Sequence, residues 1–208
     1  MLKASHHCLI YPFFRQYTLL LMKRNFHSVN IIRTNSFSSE NLPLLMIANH
    51  ISWWDGFWAM YLNLNLFHKT FYFMMLEEQL LKYRYFQLSG GFSIKKKSRE
   101  MIESLTYASK ILEDPKNMLL IFPEGELRSL YNSSHVFEKG FERIVKGHQD
   151  NFQLVFVANF IDYLSHKKPD LYMYVLEYQG ENFLCPDIEK AYNNFYSECL
   201  DIQKFKKE

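Results

Sequence analysis

The sequence predicts an α/β fold: a single domain with a mostly parallel central sheet flanked by helices, together with an N-terminal amphipathic helix. Three observations predict it. Strand-length apolar runs alternate with helix-period patterns along most of the chain. No internal repeat, low-complexity tract or interdomain linker divides the sequence. With 208 residues, 48% hydrophobic and 22% charged, there is ample material for one core. A domain of this size buries roughly 70% of the surface its unfolded chain exposes.

Taking the elements in order, residues 9–22 come first. Ile10, Phe13, Phe14, Tyr17, Leu20 and Leu21 fall in one apolar stripe along a helix, with Arg15, Gln16 and Thr18 off it. Lys23 and Arg24 follow at once, so the helix suits packing on its own domain. It equally suits a bilayer interface, with the basic end near anionic headgroups. Strand-like runs then lie at 30–33, 44–48, 70–75, 92–94, 118–122, 154–159 and 172–178. Helical patterns lie at 54–64, 77–85, 99–112, 137–146 and 187–206. In the clearest of them Ser98 is placed to cap, and Ile102, Leu105, Ala108 and Leu112 form the buried stripe.

Composition narrows the function classes. The net charge is only +2 with charges interspersed, which gives no basis for a nucleic-acid partner. Cys8, Cys185 and Cys199 are odd in number and far apart, which fits a reducing compartment better than a disulfide scaffold. No zinc-spaced Cys/His cluster exists. Aromatic residues reach 17%, material for a core or for a membrane interface. No run of 18 apolar residues is present, and Pro12, Arg15 and Gln16 interrupt what a signal peptide would need. The expectation is a peripheral protein on the cytoplasmic face of a membrane.

Three polar clusters each follow an apolar strand: Asn49-His50 after 44–48, Lys95-Lys96-Lys97 after 92–94, and Pro123-Glu124-Gly125 after 118–122. In a parallel sheet all three emerge at the carboxyl edge, where open α/β folds bind ligands. His50 and Asp55 are five residues apart across a turn into a helix. The carboxylate would fix one imidazole tautomer and leave the other ring nitrogen free to take a proton. With no Ser or Cys nucleophile beside them, the fitting chemistry is attack by a substrate hydroxyl with His50 as general base. Ser93, Lys95 and Lys96 precede a helix start, an anion site. Glu124 suits a basic partner or an acceptor hydroxyl, and Arg128 a phosphate. Gly125 permits a backbone closed to other residues.

In this order the residues resemble the glycerolipid acyltransferase family, which includes the lysophosphatidic acid acyltransferases. Asn49, His50, Trp53, Trp54 and Asp55 match its Asn-His-x4-Asp block. Gly90 to Lys96 resembles its second block, Phe122-Pro123-Glu124-Gly125 with Arg128-Ser129 its third, and Lys139-Gly140 a downstream pair. The resemblance implies acyl transfer from acyl-CoA or acyl-carrier protein to a hydroxyl of a lysophospholipid or other lipid acceptor at a membrane surface. It makes His50 and Asp55 catalytic and places Asn49, Ser93, Lys96, Glu124, Gly125 and Arg128 in substrate binding. No metal or organic cofactor is implied. It divides the chain into a membrane-interface helix, 1–25, and an acyltransferase domain, 26–208.

Three departures stand out. Lys96 occupies a position usually held by arginine, Glu126-Leu127 occupies the interval where one residue is common, and the strand at 155–159 lacks a proline. These bear on the acceptor, and a non-phosphate lipid such as a glycolipid is the alternative. A serine hydrolase is disfavoured because Lys95 stands where Gly91-Phe92-Ser93 would need its second glycine. A non-catalytic lipid-binding protein leaves His50 and Asp55 without a reason.

Overall fold

A computed structural model describes residues 1–37, 41–96, 98–145, 151–180 and 182–207. Its strands are β1 (Ser28–Arg33), β2 (Leu44–Ala48), β3 (Thr70–Leu76), β4 (Gly91–Ile94), β5 (Asn117–Ile121), β6 (Gln153–Asp162) and β7 (Asp170–Glu177). Its helices are α1 (Ile10–Asn25), α2 (Asp55–Leu62), α3 (Glu77–Lys82), α4 (Arg84–Gln87), α5 (Glu100–Ile111), α6 (Phe141–Val145) and α7 (Cys185–Lys204).

The strands form one sheet in the order β1-β7-β6-β2-β5-β3-β4. From β6 to β4 all neighbours are parallel, as the alternating pattern predicts. β7 returns antiparallel to β6 and carries β1 parallel to itself. β2 and β5 are buried along their whole length, the mark of strands covered on both faces. Successive side chains point to opposite sides. Leu45, Ile47, Leu119 and Ile121 pack with α5, α6 and α7. Leu44, Met46, Met118 and Leu120 pack with residues of α1 to α4.

Four helical expectations change. α1 packs through Phe14, Thr18 and Met22, so its stripe divides: Thr18, expected off the face, is buried, while Phe13, Tyr17 and Leu20 point outward. The helix expected over 54–64 ends as α2 at Leu62 and passes into a π-turn, Asn63–Phe67, closed by left-handed His68. The one expected over 77–85 breaks into α3 and α4 at Tyr83, whose φ of −122° and ψ of 64° are not helical. The one expected over 137–146 shrinks to α6, because Gly140 takes φ 113° immediately before it. Lys146 of that expectation lies outside the described residues.

Candidate active site

β2 and β5 are direct neighbours, so their carboxyl ends place Asn49-His50 beside Phe122 to Gly125. β4 ends on the same edge, with β3 between it and β5. The three polar clusters therefore share one rim.

Asn49 continues the β2–β6 pairing with its side chain. Its Nδ2 donates to the Asn159 carbonyl at 3.0 Å, and its Oδ1 accepts from the Asn159 N–H at 2.8 Å. The residue is completely buried. Expected among the substrate-binding residues, its amide is instead held at both ends by β6, and it fixes where the chain leaves the sheet for His50.

The next five residues form a closed hydrogen-bonded turn. Asp55 Oδ2 accepts from His50 Nδ1 at 2.7 Å, from the Ile51 N–H at 2.7 Å and from the Ser52 N–H at 3.0 Å. Its Oδ1 accepts from Ser52 Oγ at 2.9 Å. Ser52 Oγ also accepts from the Trp54 N–H at 3.0 Å, bracing the turn that leads into α2. Asp55 is buried in the first turn of that helix, where the dipole favours negative charge. Because Nδ1 is bound to the carboxylate, Nε2 is the nitrogen left free. The imidazole lies flat on Phe122, with centroids 4.1 Å apart and planes 11° apart, and its side chain is 26% exposed. A base held in one tautomer and one orientation, open at one edge, is the result.

The third cluster is tied to the first through the backbone: the Arg128 N–H donates to the His50 carbonyl at 2.7 Å. Gly125 has φ 65°, and a Cβ there would lie 2.7 Å from Lys96 Nζ. Glu124 turns inward, buried, with Oε2 3.0 Å from Nδ1 of buried His135. Tyr192 and Tyr196 of α7 meet the His135 ring edge-on at 5.4 and 4.2 Å. Burial first, and the neighbouring Glu124 carboxylate further, raise both phenols above their ordinary range, so they stay protonated.

The expected phosphate-binding cations are paired. Arg128 Nη2 contacts Glu126 Oε1, and Lys96 Nζ donates to Glu138 Oε1 at 2.9 Å. Ser93, expected at the rim, is buried: its Oγ donates to Glu77 Oε2 at 2.9 Å and accepts from the Leu2 N–H at 2.7 Å. It anchors β4 to α3 rather than facing a ligand. Lys97 lies outside the described residues.

Sequence reasoning passed over Ser52, the packing role of Phe122, Asn159 and His135. The Ser52-x-x-Asp55 capping pattern carried a readable signal for the first. One described set has the composition of a metal site: His27, His166 and Asp170, at the starts of β1 and β7. The two rings stack at 3.5 Å and 25°. Asp170 already accepts from His27 Nδ1 at 2.8 Å and Ser28 Oγ at 2.6 Å.

None of the curated protein sequences matches this chain. Among solved structures, the crystal structure of the 1-acyl-sn-glycerophosphate (LPA) acyltransferase PlsC from Thermotoga maritima aligns with a TM-score of 0.63 at 16% identity. The alignment covers 95% of this chain and 81% of that one, a likeness of fold. The sequence profile of the acyltransferase family matches residues 23–157, a span that runs from the end of α1 through the His50–Asp55 turn and the Phe122-Pro123-Glu124-Gly125 loop. A profile covering more than half the chain, with that turn and loop brought together on one rim, makes this chain a member of the acyltransferase family.

Proposed function

We propose that this acyltransferase moves a fatty acyl group from acyl-CoA or acyl-carrier protein to a hydroxyl of a membrane lipid, by general-base catalysis at His50. The observation that carries the reading is the 2.7 Å bond from His50 Nδ1 to buried Asp55, which leaves Nε2 free at the rim. Nε2 takes the proton of the acceptor hydroxyl as its oxygen attacks the thioester carbon. Asp55 stabilises the imidazolium that forms. Collapse of the tetrahedral intermediate breaks the C–S bond, and the thiolate leaves with the proton held by His50. Ester and free thiol are the products, so atoms and charge balance.

A lysophospholipid of the 1-acylglycerol-3-phosphate kind is the acceptor that the motif resemblance implies. The chemistry at His50 is the same for any lipid hydroxyl. The outward side of α1 supports peripheral binding at the cytoplasmic membrane face. Leu9, Phe13, Tyr17 and Leu20 are exposed there, and Trp53, 60% exposed, lies only three residues from His50. Lys23 and Arg24 add charge at the end of α1. No helix among the described residues is long and apolar enough to cross a membrane.

Labelled acyl-CoA, the purified protein and a total lipid extract from its source provide the test, with His50→Ala alongside. A labelled lipid ester that appears with the wild type and is lost in the variant is expected. No labelled lipid from either acyl-CoA or acyl-carrier protein, with folded protein, would refute the reading.

A further inference from the structure

We infer that the acceptor carries an uncharged hydroxyl-bearing headgroup, such as a glycolipid, because Lys96 and Arg128, the two cations expected to hold a phosphate, are each matched by a carboxylate of this chain. The inference rests on the acyl-transfer reading above and names the acceptor class of that site.

Around Gly125 both expected phosphate ligands are paired. Lys96 Nζ donates to Glu138 Oε1 at 2.9 Å, and the Arg128 guanidinium contacts Glu126. The pairs share one surface: a Cβ on Gly125 would lie 2.7 Å from Lys96 Nζ and 3.2 Å from Glu138 Cγ. Glu126 is one of the two residues in the interval between Gly125 and Arg128 where one is common in the family it resembles. The residue that lengthens the loop is thus also involved in neutralising its arginine. The anion site expected at the start of α5 follows the same pattern. Glu100 and Glu103 occupy its first turn, and Glu100 stands 3.5 Å from Lys95 Nζ.

These side chains are about half exposed, and exposed pairs are worth only about 0–1 kcal/mol, so they do not lock the site shut. The sign of the charge decides instead. A phosphate monoester brings close to two negative charges at neutral pH. To reach Lys96 or Arg128 it must displace Glu138 or Glu126 and then remain beside the displaced carboxylate. Like charges at that range oppose binding. A polyol headgroup meets the opposite situation. Its hydroxyls donate to Glu126 and Glu138 and accept from Lys96 and Arg128, so both members of each pair are useful to it. Carboxylates are acceptors only, and phosphate has no protons to offer them once ionised.

The test compares three single-chain acceptors in mixed micelles with one labelled acyl-CoA: 1-acylglycerol 3-phosphate, monoacylglycerol and a monoacyl glycosylglycerol. The full chain is used, with His50→Ala as control. The expected result is kcat/KM for the better neutral acceptor at least about tenfold above the phosphate acceptor. Glycerol 3-phosphate is not expected to inhibit. The double variant Glu126→Gln, Glu138→Gln should raise kcat/KM for the phosphate acceptor and narrow or reverse that ratio. An equal or better rate with the phosphate acceptor in the wild type overturns the inference while leaving acyl transfer standing. Absence of label in every acceptor, with acyl-CoA and with acyl-carrier protein, overturns the acyl-transfer reading and this inference with it.

Discussion

The two ends of the rim hold their charges in different ways. At the end of β2 the Asp55 carboxylate is buried and meets four donors, and the imidazole it orients is stacked on Phe122. Near Gly125 the charges are exposed, and among the described residues Lys96 and Arg128 are each matched by a single carboxylate. Buried, fully hydrogen-bonded groups keep one geometry because every alternative leaves a polar atom unsatisfied. Exposed pairs exchange partners at little cost. On the proposed mechanism the chemistry is therefore built into a rigid turn, whereas acceptor choice is left to side chains that a new sequence can re-pair. Substitution at the first end should cost turnover and stability, and at the second end it should mainly change which lipid is used.

The largest stability effect expected from one polar substitution falls on the buried side. Asn49→Ala removes both partners from the Asn159 backbone amide, and a loss of about 1–3 kcal/mol should appear in denaturant melts. Its kcat should fall too, because the first residue of the catalytic turn is no longer tied to β6. Next comes Gly125→Ala. A left-handed φ costs a non-glycine residue roughly 1–2 kcal/mol, and the new Cβ meets Lys96. The comparison predicts a rise in acceptor KM larger than any change in donor KM. Glu126→Ala sharpens it further: thermal stability should stay within about 0.5 kcal/mol while the ratio of phosphate to neutral acceptor use rises.

The smallest expected effect lies away from the rim. Burial alone would raise Asp170, but the hydrogen bonds from Ser28 and His27 outweigh it and hold the carboxyl below its ordinary value of 3.8. A depressed carboxyl adds stability above the unfolded value and loses it as pH falls through the folded one. Asp170→Asn should therefore flatten the acid limb of the stability curve below pH 3.8 and leave acyl transfer at neutral pH unchanged.

What was legible in the sequence was local. His50 and Asp55 are close enough for their spacing to foretell the turn, and β2, β4 and β5 announce themselves as apolar runs ending in polar clusters. Partners far along the chain left no such trace. Asn49 and Asn159 are 110 positions apart, and both look like ordinary rim polar residues until β6 lies beside β2. His135 sits in a loop with no periodicity, and only the packing of α7 makes it the inward partner of Glu124. Ser93 read as a rim residue because its strand ends there, yet its side chain falls on the α3 side. The helix breaks at Tyr83 and Gly140 escaped a reading that weighed apolar spacing over backbone conformation. Glu126, by contrast, was visible as an added carboxylate, and the structure supplied its partner.

Single-turnover acyl transfer by Asp55→Asn, with donor binding and thermal stability measured on the same sample, tests the His50–Asp55 mechanism. The amide preserves shape but no longer stabilises the imidazolium or fixes the tautomer with Nε2 free. The account predicts a fall in the transfer rate of about 10³–10⁴ with donor affinity retained, the size seen when such a carboxylate is neutralised in a His-based triad. Transfer within a few fold of wild type in a folded, donor-binding variant would contradict it, and the proton acceptor would have to be sought elsewhere on the rim.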